Sequence, residues 1–220
     1  MKLKQRRVPG IYYRSDGSVF HPEELIDYMW AWYNGVNGDV DISNSGHDFS
    51  VVGNVSLSGT TQNGHEVFRF NVGATNTGYL TTSATPVLKH AFFAMQMREA
   101  TFSNYAGIIT GDTAAGSVAM ASGDSGTTKF YDHALGVSYR KNGVAFADAN
   151  MQAPMNTFGI CHWYKSAGIG LINAQIGKDR DFAGRFAEMN VGEIILCDEE
   201  IPATDYADLE QFLINKWGVT

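Results

Sequence analysis

The sequence contains little charge, little proline and little cysteine. Only 18% of the 220 residues are charged and five are proline, whereas 24 are glycine and 12% are aromatic. Helical bundles and disordered chains carry more charge than this, so the composition predicts an all-β protein with many turns. A chain of this length can bury one sizeable core, as a single β-sandwich does.

Basic clusters and long apolar runs are also scarce. The formal net charge is -7, whereas a nucleic-acid-binding protein needs clustered Lys and Arg to neutralise phosphates, so that function class is excluded. No apolar run reaches about 18 residues, and no apolar stretch follows the basic N-terminus. We therefore expect no membrane span and no signal peptide, and we expect synthesis in the cytoplasm.

Cysteine and metal-binding patterns are sparse. Cys161 and Cys197 lie in strand-like apolar runs, where a free thiol behaves as a small hydrophobe, and a disulfide requires that their strands be neighbours. No CxxC, HxH or HxxxH spacing occurs. Asp39, Asp41 and Asp48 lie in a Gly- and Asn-rich stretch that could bind calcium, but the missing EF-hand spacing favours ordinary turn chemistry. No cofactor is predicted.

Catalytic patterns are missing as well. A glycoside hydrolase needs two carboxylates across a groove, and sandwich enzymes carry them alternately on one strand. The acidic run Asp198, Glu199 and Glu200 is consecutive, so its side chains point to different sides and fit a helix-capping turn. No GxSxG nucleophile motif is present. The chain is therefore predicted not to be an enzyme.

The C-terminal stretch predicts a buried strand that leads into a closing helix. Residues 192–197 form an apolar run of strand length, and residues 205–217 show helical spacing. Tyr206, Leu209 and Leu213 share one face of this helix, and Gly218 supplies a stop. We expect the helix to pack on the sheet and close the core.

The remaining patterns predict further strands and one short helix. The runs 51–52, 55–57 and 66–71 alternate as half-buried strands do, whereas 91–97 is apolar enough for a central strand with 107–110 as its partner. Residues 117–121 suggest an exposed strand between mobile loops. Two more strands are predicted over residues 158–165 and 171–177. Asn142-Gly143 between alternating runs predicts a hairpin. Residues 11–20 suggest a small hairpin and 22–33 a short helix.

The C-terminal pattern resembles the signature of concanavalin A-like (laminin G-like) jelly-roll domains. The residues that carry this resemblance are Gly192, Glu193, Ile194, Ile195, Leu196, Asp198, Asp205, Asp208, Leu213, Lys216, Trp217 and Gly218. The polar turn 44–49, the stretches 63–70 and 78–80 and the Asn-Gly hairpin are similar to the family too. The resemblance covers residues 28–219, and the longer insert 71–77 departs from it. It implies a jelly-roll β-sandwich of two antiparallel sheets with a short N-terminal and an amphipathic C-terminal helix.

The resemblance also implies two kinds of function. Similar domains occur in structural proteins of bacteriophage virions and in secreted bacterial glycan-handling proteins. The leading hypothesis is a non-enzymatic virion protein, a capsid decoration or a tail component, whose jelly-roll faces outward and binds a host-surface glycan. The alternative is a carbohydrate-binding module. Sugars stack on exposed aromatic rings, and the candidate rings are Trp30, Trp32, Tyr105, Tyr131 and Trp163.

The N-terminus is expected to be an arm outside the main domain. Lys2, Lys4, Arg6 and Arg7 fall within seven residues of an otherwise acidic chain. Such a segment is either a solvated terminus or a tether that binds an acidic surface of a partner. We assign residues 1–27 to the arm and hairpin and 28–220 to the jelly-roll domain. The tether hypothesis makes a virion protein the partner and leaves a homo-oligomer open.

Overall fold

The alternating and apolar runs form strands in the structure, which is a computed structural model. It describes residues 12, 14, 18–37, 39–43, 45–56, 59–71, 77–115, 118–131, 136–147 and 150–220. In chain order the strands are β1 (Met29–Asn34), β2 (Ser50–Val52), β3 (Val55–Ser56), β4 (Thr61–Gln62), β5 (His65–Glu66), β6 (Phe68–Phe70), β7 (Tyr79–Thr81), β8 (Val87–Met97), β9 (Gly107–Thr110), β10 (Ala119–Ser122), β11 (Ser138–Lys141), β12 (Val144–Phe146), β13 (Gly159–Gly170), β14 (Gln175–Ile176) and β15 (Met189–Cys197). A 3-10 helix (Pro22–Tyr28) precedes β1, and the α-helix α1 (Ala203–Trp217) follows β15.

The strands form two antiparallel sheets and one small ribbon. The larger sheet has eight strands in the order β12-β11-β13-β8-β15-β6-β3, and β1 also pairs with β15. The smaller sheet has five strands in the order β10-β9-β14-β7-β2, and β4 pairs with β5 in the ribbon. The apolar run 91–97 lies in β8, between β13 and β15, so the prediction of a central strand is confirmed.

The larger sheet buries both of its faces. Along β8, Phe93 and Met95 point into a core that they share with side chains of the smaller sheet, such as Ile176. Phe92 and Ala94 alternate with them and point to the opposite, outer face, where they pack with residues of α1 and of the 3-10 helix. The two sheets therefore enclose one core, and α1 covers a second apolar layer outside it.

The closing helix forms as predicted and lies on this outer face. Leu209, Leu213 and Trp217 are buried beneath it. Gly218 ends the helix in the left-handed conformation (φ 63°), which glycine adopts without a steric penalty. The predicted hairpin is confirmed too, because β11 pairs with β12 across Asn142 and Gly143, which both have positive φ.

Two predictions about secondary structure are wrong in their extent. The helix expected over 22–33 stops at Tyr28, and the following aromatic run forms strand β1. Aromatic residues favour strands, and pairing with β15 lets this run bury side chains in both apolar layers. The strand expected over 171–177 is reduced to β14 (Gln175–Ile176), since residues 171–174 connect it to β13.

Two further predictions are wrong in their placement. Strand β9 does not pair with β8; it lies in the smaller sheet between β10 and β14. The strand expected to be exposed near residues 117–121 is β10 (Ala119–Ser122), and all four of its residues are buried. Three of these residues, Ala119, Met120 and Ala121, are apolar and buried, and the small Ser122 is buried with them, so the small and polar residues around this run did not indicate exposure.

The two cysteines are free and lie on opposite faces of the larger sheet. Cys161 on β13 belongs to the core between the sheets, whereas Cys197 on β15 belongs to the layer under α1. Strand β8 separates their strands. A disulfide would need the two cysteines on neighbouring strands, and β13 and β15 are not neighbours.

Candidate functional site

The five aromatic residues predicted to bind a glycan fall into two groups. Trp30, Trp32 and Trp163 are buried. Trp163 lies among core rings, and Trp30 is covered by the stacked imidazole of His47 at 4.4 Å between ring centres. These three rings are core residues, so they do not offer a free ring face to a sugar.

Tyr105 and Tyr131, in contrast, come together at the surface. Their rings meet edge to face at 5.5 Å, and Tyr131 is 41% exposed. The guanidinium carbon of Arg185 lies 5.0 Å from the ring centre of Tyr105 and 4.1 Å from that of Phe182. Arg180 lies 4.8 Å from the same Phe182 ring. We name these five residues the aromatic–arginine patch.

A buried carboxylate holds the two arginines of the patch in place. Asp179 is fully buried and forms two hydrogen bonds with Arg180, at 2.8 and 3.0 Å, and one with Arg185 at 3.1 Å. The backbone N–H of Asp179 donates to the carbonyl of Arg185, which closes the loop between them. The amide of Asn104 donates to the Gly184 carbonyl and ties this loop to the segment that carries Tyr105.

The backbone of Arg180 is unusual for a side chain of its size. Its φ of 53° lies in the left-handed region, which a residue with a Cβ adopts at a cost of order 1–3 kcal/mol. The Arg180 N–H donates to Thr110 Oγ1, and this hydroxyl donates to the carbonyl of Lys178. The surrounding contacts thus hold both the loop and the direction of the guanidinium.

The patch combines the two features that bind a carbohydrate. Exposed tyrosine rings pack against the C–H faces of sugars, and guanidinium groups donate hydrogen bonds to hydroxyl and ring oxygens. Its members come from three separate segments of the chain, near residues 105, 131 and 180–185. The two tyrosines are candidates from the sequence, whereas no sequence pattern indicates the arginines, because only the fold brings these segments together.

The acidic stretch proposed as a weak calcium candidate is organised by backbone groups. Asp41 accepts hydrogen bonds from the N–H groups of Trp32, Ser43 and His47, and Asp48 accepts one from the N–H of Asp41. Burial raises the pKa of Asp41, but these hydrogen bonds outweigh it and lower the pKa. Turn chemistry therefore accounts for Asp41 and Asp48. Among the residues that the structure describes, no three His, Cys, Asp or Glu side chains are grouped as metal ligands.

A second polar cluster, which the sequence analysis did not predict, lies between α1 and the outer face of the larger sheet. His90 Nδ1 lies 3.0 Å from His162 Nε2, and His162 Nδ1 lies 2.7 Å from Glu210 Oε1. The same carboxylate oxygen accepts a hydrogen bond from Arg140 Nε at 2.7 Å. At the other end, the N–H of Ile201 donates to His90 Nε2 at 3.3 Å. We name this series the histidine chain.

The ionisation states follow from burial and from these contacts. Burial and the neighbouring His162 and Lys89 lower the pKa of His90 to about 3. Burial also lowers the pKa of His162, although Glu210 opposes it. Burial raises the pKa of Glu210, but hydrogen bonds from His162 and Arg140 outweigh it and lower the pKa. The chain at neutral pH therefore contains two neutral imidazoles and one carboxylate that is paired with Arg140.

One sequence signal could have revealed this cluster. Glu210 lies between Leu209 and Leu213 on the buried side of α1, where a carboxylate requires a partner. That partner set comes from β8, β11 and β13, and its positions along the sequence are not related by any short spacing. A buried Glu was therefore foreseeable, but its contacts were not.

A second buried carboxylate fixes the other end of the helix. Glu193 on β15 accepts hydrogen bonds from the indole N–H of Trp32 at 2.8 Å and of Trp217 at 2.9 Å. The ammonium of Lys216 lies 2.8 Å from its Oε2. Glu193 was singled out only as part of the family resemblance, and its structural role is to join β1, β15 and α1.

Comparisons with protein-family models, with curated proteins and with solved structures found no match to this chain. No helix in the described ranges is both long and apolar enough to cross a membrane. The arm residues Lys2, Lys4, Arg6 and Arg7, on which the tether hypothesis rests, lie outside the described residues.

Proposed function

We propose that this chain is a non-enzymatic jelly-roll protein of a bacteriophage virion that binds a host-surface glycan through the aromatic–arginine patch. Two antiparallel sheets that share one core support the jelly-roll assignment, together with the resemblance of the C-terminal signature. The observation that carries the binding function is the exposed ring of Tyr131, which meets the ring of Tyr105 edge to face, while Arg185 packs on that Tyr105 ring.

The state of the buried carboxylates supports a role without catalysis. A glycosidase needs one carboxylic acid and one carboxylate facing the same sugar. Asp179, Glu193 and Glu210 are each buried and each joined to a cationic side chain. They hold loops, strands and α1 in place, which is a structural use of charge.

The patch predicts that one substitution weakens glycan binding. Tyr131→Ala removes an exposed stacking ring and is expected to raise the Kd for a bound bacterial oligosaccharide about tenfold. Tyr131→Phe keeps the ring and should retain most of the affinity. Val144→Ala, at a 60% exposed position on β12, is the control for a change elsewhere on the surface. Binding to an array of bacterial surface oligosaccharides followed by calorimetry tests this; equal affinity of Tyr131→Ala and the unaltered protein would contradict it.

The virion assignment predicts that the arm attaches the protein to a particle. Deleting residues 1–9 should abolish attachment to virions that lack the protein, and attachment of the intact protein should weaken with salt, because four positive charges are involved. The melting temperature should remain almost unchanged, since few residues of this range are apolar and little hydrophobic burial can be lost with them. Attachment of the truncated protein with unchanged affinity would refute the tether.

The same two experiments separate the alternative function. A carbohydrate-binding module of a bacterial glycan-handling protein would use the aromatic–arginine patch but would not need the arm. Glycan binding that depends on Tyr131, without attachment to any particle, favours that alternative. Attachment through the arm without glycan binding favours a purely structural virion protein.

A further inference from the structure

We propose that the histidine chain is an acid-sensitive latch, which holds α1 against the larger sheet at neutral pH and releases it when the two histidines take up protons. The chain runs from the backbone of Ile201, in the segment that connects β15 to α1, through β8 and β13 to Glu210 on α1 itself. It therefore joins both the entry to the helix and its buried face to the sheet.

The hydrogen bonds determine where each proton lies. The carboxylate of Glu210 only accepts, so His162 must carry its proton on Nδ1, and its Nε2 must accept from His90 Nδ1–H. His90 Nε2 is then the acceptor for the Ile201 N–H. Each imidazole nitrogen therefore either donates or accepts one hydrogen bond. The negative charge on Glu210 determines which of the two each nitrogen does.

One added proton cannot be placed on either imidazole without a conflict. A proton on His90 Nε2 would face the Ile201 N–H, donor against donor. A proton on His162 Nε2 would face His90 Nδ1–H; if His90 then released that proton and took one on Nε2, the conflict would move back to Ile201. Protonation therefore disrupts a contact either between the two strands or at the segment that leads into α1.

The groups around the histidines do not remove this conflict. The negative charge of Glu210 on α1 attracts a second proton to His162. Arg140 on β11 donates to the same carboxylate oxygen, and its positive charge offsets this attraction. Lys89 next to His90 on β8 repels a proton, and Lys89 itself pairs with Glu199. Aromatic rings also pack on the imidazoles: those of Phe92, of Tyr164, whose hydroxyl donates to Glu200, and of Tyr206.

Protons can reach the chain from solvent. A cavity of about 310 Å³ opens beside α1, and His162 and Tyr206 form part of its wall together with Arg140 and Tyr164. Release of α1 would expose both imidazoles, whose pKa would return to the ordinary value of 6.5. Opening below that pH would therefore be coupled to the uptake of two protons.

The two free cysteines provide a test within the native sequence. Cys197 lies in the layer that α1 covers, whereas Cys161 lies in the core between the sheets. Dithiodipyridine, which reacts with thiols at acidic pH, is added to the full chain between pH 7.5 and 5.0, and mass spectrometry assigns each modified cysteine. Rates are divided by those of free cysteine at the same pH.

The expected result is a normalised Cys197 rate that increases about 100-fold per pH unit below 6.5, as two-proton uptake requires, and that stays faster than the Cys161 rate. His90→Gln should reduce the slope to about tenfold per unit; His162→Gln serves the same purpose if His90→Gln does not fold. His47→Gln, a change at a histidine outside the chain that stacks on Trp30 of the core between the sheets, should leave the slope unchanged. A Cys197 rate that does not depend on pH, or that equals the Cys161 rate throughout, would overturn the latch.

Discussion

Replacing Glu193 by Gln is expected to lower the free energy of unfolding by about 3 kcal/mol or more. The carboxylate is buried and accepts hydrogen bonds from two indole N–H groups, and the ammonium of Lys216 is paired with it. A Gln side chain of the same shape has one acceptor oxygen, so its amide N–H group would face a donor from Trp217 or from Trp32. Urea denaturation of the two proteins measures the difference.

An exposed glutamate provides the matched control for this substitution. Glu199 is 65% exposed and lies 3.5 Å from Lys89, so Glu199→Gln should change the free energy of unfolding by less than about 1 kcal/mol. Similar losses for the two variants would show that burial of the Glu193 carboxylate is not what stabilises the fold. A small effect of Glu193→Gln alone would lead to the same conclusion.

Elements with local determinants were predictable from the sequence. The Asn142-Gly143 turn needs two positive φ values, which these two residue types adopt readily, and β11 and β12 pair across it. The helix α1 shows its buried stripe at helical spacing, and Gly218 marks its end. In both cases the determining residues lie close together in the sequence, so the local residue pattern was sufficient for the prediction.

Elements that depend on distant partners were not predictable in the same way. The run 29–34 could continue a helix, and only its pairing with β15, more than 150 residues later, makes it a strand. Strand β9 could pair with β8 by sequence proximity, but the chain crosses to the smaller sheet before it. Local propensity cannot decide such cases, because the free energy comes from tertiary pairing.

The candidate site shows the same division. Tyr105 and Tyr131 were identifiable as residues of a suitable type, but not as a pair, and Arg185 was not identifiable at all. Arg180 and Arg185 are held together by Asp179, which is buried and lies just after the last short strand of the smaller sheet. The tryptophans Trp30 and Trp163 had equal chemical suitability, and burial in the core separates them from the tyrosines.

The contact between Gly192 and Trp217 predicts a second large loss of stability, which arises when either residue is replaced. Trp217 is buried, stacks on Phe158 at 5.7 Å between ring centres and donates to Glu193, so Trp217→Ala should cost about 3–5 kcal/mol of stability. A Cβ added to Gly192 would overlap the six-membered ring of this indole. Gly192→Ala alone should therefore cost about 1–3 kcal/mol through overpacking.

The two substitutions are expected to be strongly non-additive when combined. Without the indole, the new methyl group of Gly192→Ala meets empty space, so the double variant should be no less stable than Trp217→Ala alone. Denaturant unfolding of the four proteins in this cycle gives the coupling free energy, expected at about 1–3 kcal/mol in favour of the double variant. Additive losses would mean that the methyl group strains β15 itself, and that the glycine serves the strand and not the approach of the helix. A coupling that favours the double variant would identify Gly192 as the residue that lets α1 come close enough for the Trp217 indole to donate its hydrogen bond to Glu193.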